Sequence, residues 1–187
     1  MPETASLSSP PGTVTVVLRR FRENGPALLV PAAWLVVIAA HVGRVTTRTL
    51  LIAHGVMTVL LVAFATLSYS DMRDGVLSVW WTVVAAGVPL TAAGLVGLAV
   101  PTCPMVGLVL AVGGWMVLPG VALAETGREM DATDAPYVYL AAGGLSLVGA
   151  AVYAAGLFGG GSRALVADLA LVGVGQTAGI LDAVVRY

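Results

Sequence analysis

The chain has 187 residues, of which 58% are hydrophobic and 10% are charged. A soluble domain carries roughly a quarter of its residues as charged side chains, so this composition excludes an ordinary soluble fold and predicts a protein solvated by lipid. The formal net charge of −1 gives no strong positive field, so the lipid bilayer is the expected partner and nucleic acid is not.

The N-terminal segment precedes the first long apolar run. Residues 1–12 are rich in proline and serine and show no periodicity, which predicts a disordered tail. In residues 13–25, apolar residues recur at helical spacing among arginines, which predicts a short amphipathic helix and turn at the membrane surface. Its Thr-Val-Thr-Val sequence leaves an extended segment as the alternative.

Six apolar runs follow, separated by polar, glycine-rich or proline-rich turns. The predicted spans are residues 26–42, 50–69, 76–100, 105–124, 136–158 and 163–185. A membrane-spanning helix needs about 17 to 25 residues, and the first run is close to the lower limit. The fold class is therefore all-α: residues 26–187 form a polytopic integral membrane helical bundle of about six transmembrane helices.

The arginines predict the orientation of this bundle. Six spans place both termini on one side of the membrane, called the terminal side below. The terminal side carries six arginines and the opposite side three: Arg19, Arg20, Arg22, Arg73, Arg128 and Arg186 against Arg44, Arg48 and Arg163. The positive-inside rule then predicts a multi-pass protein of the cell membrane with both termini in the cytoplasm.

Small residues at four-residue spacing predict where helices approach closely in lipid. Ser146 belongs to such a stripe on the fifth span, and Gly175 and Gly179 form a GxxxG motif on the sixth. We expect these two spans to pack against each other, although the same motif could also join two copies of the chain. Pro119 predicts a kink in the fourth span, because proline removes a backbone donor.

The turn between the first two spans contains the best candidates for ligand binding: His41, Arg44, Arg48 and His54. Two histidines at similar depth, with two arginines between them, predict a site for a carboxylate, a phosphate or another anionic group. A bis-histidine haem site is a more specific form of this hypothesis. The spacing of about 8–10 Å between neighbouring helix axes argues against it, because it is tight for a porphyrin between two histidine rings. The plain alternative is that the histidines bond headgroups or helices while the arginines reach the interface.

Two further polar groups need partners. Gln176, followed by Thr177, lies near the middle of the sixth span and predicts an intramembrane contact between helices, with a solute path as the alternative. Acidic residues of two terminal-side loops could converge on a divalent cation, or could simply keep those loops in water. They are Asp71, Asp74, Glu125, Glu129, Asp131 and Asp134.

The sequence contains no G-x-S-x-G motif, no H-E-x-x-H motif and no phosphate-binding glycine-rich loop after a strand, so an enzyme is disfavoured. The single cysteine, Cys103, has no second thiolate for a zinc site, and we predict neither metal nor cofactor. The leading hypothesis is a small transport-type bundle or an accessory subunit, partnered by a second copy or by a membrane complex. The alternative is a membrane-embedded enzyme acting on a lipid or isoprenoid headgroup, and the third hypothesis is a haem-binding membrane protein.

Overall fold

The structure, a computed structural model, describes residues 28–100, 104–131, 134–159 and 162–186. These residues form six helices and no strand, which confirms the all-α prediction. The helices are α1 (Leu28–His41), α2 (Thr47–Leu67), α3 (Gly75–Ala99), α4 (Pro104–Glu129), α5 (Pro136–Gly156) and α6 (Ser162–Arg186). The predicted tail and surface helix of residues 1–25 lie outside the described residues.

Five of the described helices, α2 to α6, are long and apolar enough to cross a membrane. Each corresponds to one of the predicted spans. The described part of α1 is apolar but shorter, about 21 Å at 1.5 Å per residue, against about 30 Å for the hydrocarbon core. The structure thus supports a helical membrane bundle with five spanning helices, and the crossing of α1 stays a prediction.

The largest difference from the predicted boundaries is at the end of α4. The predicted span ends at Ala124, where charged residues begin, whereas the helix continues to Glu129. Arg128 pairs with Glu125 one turn earlier on the same helix. Such pairs support a helix in water. A polar segment can therefore extend a membrane helix beyond the bilayer.

α4 is the central helix of the bundle. It packs along α3 on one side and along α5 on the other, and it also contacts α6. Gly107 lies so close to the backbone oxygen of Ala93 in α3 that a Cβ would not fit. A Cβ on Gly143 of α5 would lie 2.6 Å from the backbone oxygen of Gly120 in α4. Glycines thus bring the backbones of α3, α4 and α5 together.

α1 and α2 follow each other in sequence but pack on different parts of the bundle. Trp34 of α1 is buried in a cluster contributed by α4, α5 and α6. Its other buried members are Met116, Tyr153, Leu169 and Val172. α2 packs on α3, and Leu61 is the one buried residue along it. The exposed apolar face of α2 therefore faces lipid.

Candidate functional site

Gln176 is the best-connected polar side chain in the described interior. It is 2% exposed, and its Oε1 accepts a hydrogen bond of 3.0 Å from Nε1 of Trp34. Its Nε2 donates to the backbone oxygen of Trp115 at 2.9 Å and to Oγ of Ser146 at 2.8 Å. One amide on α6 therefore joins α1, α4 and α5, and both of its N–H groups are used.

The position of Pro119 explains why the Trp115 oxygen is available. In an α-helix this oxygen accepts from the N–H four residues later, and that residue is Pro119, which has none. Ser146 serves the neighbouring carbonyl, since its Oγ donates to the backbone oxygen of Met116 at 2.7 Å. α4 thus continues through its proline, because side chains of α5 and α6 supply hydrogen bonds on that side.

The same polar network reaches α3 through the indole of Trp115. Its Nε1 donates to Oγ1 of Thr91 at 2.9 Å, and Thr91 is buried. The ring lies over Gly87, where a Cβ would be 2.6 Å from ring atoms. We call Trp34, Thr91, Trp115, Ser146 and Gln176 the interhelical network. It contains residues of every described helix except α2.

Sequence reasoning identified Gln176 and Ser146 but missed the two tryptophans and Thr91. A signal for Trp115 was present, since the residue four positions before a mid-helix proline has a free carbonyl. No comparable signal pointed to Trp34 or Thr91. Thr177, the predicted neighbour of Gln176, is half-buried.

The GxxxG motif of α6 is packed within the chain. A Cβ on Gly175 would lie 3.0 Å from the backbone oxygen of Ala142 in α5. A Cβ on Gly179 would lie 2.5 Å from Leu123 of α4 and 3.4 Å from the Cβ of Ala142. This face of α6 is therefore occupied by its own α4 and α5.

His41 binds a tyrosine of α5. Its Nδ1 lies 2.8 Å from the backbone oxygen of Val37, and its Nε2 lies 2.8 Å from the hydroxyl of Tyr153. A carbonyl only accepts, so Nδ1 carries the hydrogen and Nε2 of the neutral ring accepts from the tyrosine. Because both ring nitrogens are engaged, a haem or metal ion could bind His41 only by displacing a partner.

His54 faces other helices. Its Nδ1 donates to the backbone oxygen of Leu50 at 2.9 Å. Its ring packs on Gly94 of α3, where a Cβ would lie 2.7 Å from Cδ2 and 2.9 Å from the Cβ of Ala111 in α4. His41 and His54 thus have separate partners, and the arrangement gives no support to a shared site.

The arginines of the proposed anion site lie in the same turn. Arg44 and Arg48 are both exposed, before and at the start of α2. The turn therefore presents two charges at the surface, while His41 bonds Tyr153 of α5 and His54 packs on Gly94 of α3.

The acidic loops show no convergence on a cation among the residues that the structure describes. No group of three or more His, Cys, Asp or Glu residues in those ranges could hold a metal ion. Glu125 pairs with Arg128 on its own helix. The cation hypothesis therefore has no geometric support in this part of the chain.

Asp168 differs from the other polar groups of the bundle. It is the fourth residue of the apolar stretch Leu165–Val185 on α6, and it is half-buried. Its backbone oxygen would lie 3.3 Å from a Cβ on Gly149, which places it beside α5. Its Oδ2 is buried and has no hydrogen-bond partner in the described structure. A carboxylate in apolar surroundings is unfavourable without a donor.

The fold and these contacts define the class of protein: an α-helical membrane bundle in which buried polar groups join the helices. Comparison with protein-family models, curated proteins and solved structures finds no match to the chain.

Proposed function

We propose that the protein is a non-catalytic accessory subunit of a larger complex in the cell membrane. The observation that carries this proposal is the saturation of Gln176. Both N–H groups and the oxygen of this amide, the polar group nearest the middle of α6, are bonded to other helices. Such a side chain stabilises a scaffold and has no free donor for a solute.

Three further polar side chains of the interior favour the same function over catalysis or transport. Thr91 and Ser146 are bonded within the interhelical network, and His41 is bonded to Tyr153. A catalytic site needs a nucleophile or base directed toward a space that a substrate can enter. The described contacts instead direct these groups toward one another, which supports an architectural role.

Asp168 supports a partner outside the chain. A buried carboxylate oxygen in an apolar helix is most stable opposite a cation or another hydrogen-bond donor. The described chain supplies no hydrogen bond to Oδ2 of Asp168. We therefore propose that a helix of the partner subunit carries an arginine or lysine that reaches this carboxylate at the edge between α5 and α6.

We further propose that α1 makes a sixth crossing and that both termini are cytoplasmic. The arginine distribution of six against three supports this orientation. The burial of Trp34 against α4, α5 and α6 also supports it, because a helix packed into the bundle lies at membrane depth. The loops after α2 and α4 would then be cytoplasmic as well.

Extraction from native membranes into polymer nanodiscs tests the accessory function. We expect a particle larger than one chain with its lipid, and we expect Asp168→Leu to release the chain from it. Asp131→Asn, an exposed loop carboxylate on the opposite end of the bundle, is the matched control and should leave the particle intact.

Two results would overturn this proposal. One is extraction of the wild-type chain alone, at its natural expression level. The other is solute flux through the purified protein in liposomes that Gln176→Leu abolishes, since the amide would then act in a transport path.

A further inference from the structure

The turn between α2 and α3 holds a stack of three side chains. The guanidinium carbon of Arg73 lies 4.6 Å from the centre of the Tyr69 ring. The Tyr69 and Trp81 rings are 5.2 Å apart and tilted by 59°. The Trp81 ring is itself held in place, because its Nε1 donates to the backbone oxygen of Ala65 at 2.9 Å. Arg73 is thus held in position by an aromatic pair that bridges two helices.

The stack leaves the edge of the guanidinium available. Arg73 is exposed, and within the described structure it forms no ion pair, although aspartates are close in sequence. Arg128, on the same side of the bundle, is instead paired with Glu125. A guanidinium presents its N–H donors in a plane that matches two oxygens of a phosphate, so a stacked and unpaired arginine is suited to bind one.

The depth of the stack indicates which phosphate it meets. Tyrosine and tryptophan favour the headgroup level of a bilayer; Tyr69 lies just after the end of α2, and Trp81 lies in the second turn of α3. Leu67 and Leu77, on the membrane side of the turn, are 79% and 53% exposed. Acyl chains can cover these leucines while the phosphate of the same lipid reaches Arg73.

Asp74 adds specificity to this position. It is exposed and immediately follows Arg73, and its side chain makes no capping hydrogen bond to α3. Its carboxylate disfavours a lipid of net negative charge and can accept hydrogen bonds from a primary ammonium. A choline headgroup carries no N–H and cannot donate to it.

From this geometry we infer that Arg73 and Asp74 form a binding site for the headgroup of phosphatidylethanolamine. Arg73, stacked on Tyr69, holds the phosphate, and Asp74 holds the ammonium. Both side chains are exposed in the same turn, so both are accessible to one lipid headgroup. The inference is independent of the accessory function, since a subunit or an isolated bundle would both present this turn to lipid.

Native mass spectrometry of the full-length protein tests the site by titration with phosphatidylethanolamine, phosphatidylcholine or phosphatidylglycerol. We expect phosphatidylethanolamine to bind about three- to tenfold more tightly than either of the others, as one exposed charge-assisted contact provides. Arg73→Gln should weaken phosphatidylethanolamine binding by a similar factor. Asp74→Asn should equalise the ethanolamine and choline lipids while retaining binding to both.

Arg128→Gln and Asp131→Asn are the matched controls and should leave all three affinities unchanged. Arg73→Lys keeps the charge but loses the planar donors, so it should weaken phosphatidylethanolamine binding as Arg73→Gln does. If the Arg73 variants do not fold, Asp74→Asn alone decides the inference, because the Asp74 side chain makes no capping hydrogen bond to α3. Equal binding of the ethanolamine and choline lipids by the wild-type protein, or an unchanged preference in Asp74→Asn, would overturn the inference.

Discussion

The side-chain amide of Gln176 donates a 2.9 Å hydrogen bond to the backbone oxygen of Trp115, the oxygen left without its helical partner by Pro119. The hydrocarbon region of a bilayer offers little water to replace that partner, so a proline is easier to tolerate where a group on a neighbouring helix serves the free carbonyl. Gln176 of α6 therefore supplies the hydrogen-bond donor that the α4 backbone lacks at Pro119. The proline and the glutamine form one structural unit although they are far apart in sequence.

This relationship predicts a coupling that a double-mutant cycle can measure. Gln176→Leu should lower the free energy of unfolding by about 1–3 kcal/mol, because buried groups on α1, α4 and α5 lose a partner. In a Pro119→Ala background residue 119 has an N–H that serves Trp115. The same glutamine substitution should then cost about 0.6 kcal/mol less. Unfolding by SDS in mixed micelles provides the measurement.

Thr177→Val, beside Gln176 on α6, is the control for this cycle, and it should give the same cost in both backgrounds. Additive effects of Pro119→Ala and Gln176→Leu would contradict the coupling. In that case the glutamine would stabilise the bundle through Trp34 and Ser146, independently of the proline.

Two adjacent glycines of α5 give opposite predictions. A Cβ on Gly143 would lie 2.6 Å from the backbone oxygen of Gly120, whereas a Cβ on Gly144 would meet nothing within 4 Å. Gly143→Ala should therefore destabilise the bundle by about 1–3 kcal/mol, since a backbone cannot move aside cheaply. Gly144→Ala should be neutral or stabilise by up to about 1 kcal/mol through helix propensity. Thermal unfolding in detergent distinguishes them, and equal effects would show that α4 and α5 are further apart.

The helices were predictable because lipid imposes both their length and their composition. The runs from Leu50 to Tyr69 and from Val76 to Val100 differ by three residues or fewer at each end from α2 and α3. The end of α4 was misplaced because the prediction equated the end of the apolar run with the end of the helix. Hydrophobicity reports where the bilayer stops, whereas polar residues that pair within one turn, such as Glu125 and Arg128, can continue a helix into water.

The candidate site was predictable only where the type and position of one residue require a hydrogen-bond partner. A mid-span amide such as Gln176 needs a partner whatever the fold, so the sequence identified it as a contact. Which partner it finds depends on helix order. His41 and His54 illustrate the limit. A helical hairpin predicts that they lie close together, but their helices pack on different parts of the bundle, α1 on α4 to α6 and α2 on α3.

The hydroxyl of Tyr153 is predicted to stabilise the position of α1. It donates to Nε2 of His41, so Tyr153→Phe leaves that nitrogen without its partner while the ring packing remains. We expect a loss of about 0.6–1.7 kcal/mol in the free energy of unfolding. Tyr137→Phe, on an exposed residue of the same helix, should have no effect. If the two variants behave alike, the hydroxyl contact does not stabilise the bundle.

The orientation of the bundle can be tested with single cysteines in a Cys103→Ser background. Val42→Cys, exposed between α1 and α2, should react with a membrane-impermeant maleimide in intact cells. Asp74→Cys, exposed between α2 and α3, should react only in inverted vesicles. The opposite pattern would place the termini outside, against the arginine distribution. Labelling of both from one side would mean that α2 does not cross.

Asp168 should have opposite effects on the isolated chain and on the assembled protein. In detergent, Asp168→Leu removes a buried oxygen without a partner and should raise the free energy of unfolding by about 1 kcal/mol. Asp182→Leu on the same helix is the control, and it should not stabilise, because Asp182 already makes an interaction. In native membranes the Asp168 variant should instead lose its partner. Higher stability of the Asp168 variant in detergent, together with loss of its partner in native membranes, would show that the carboxylate serves assembly. Lower stability in detergent would show instead that the carboxylate has a partner within the chain.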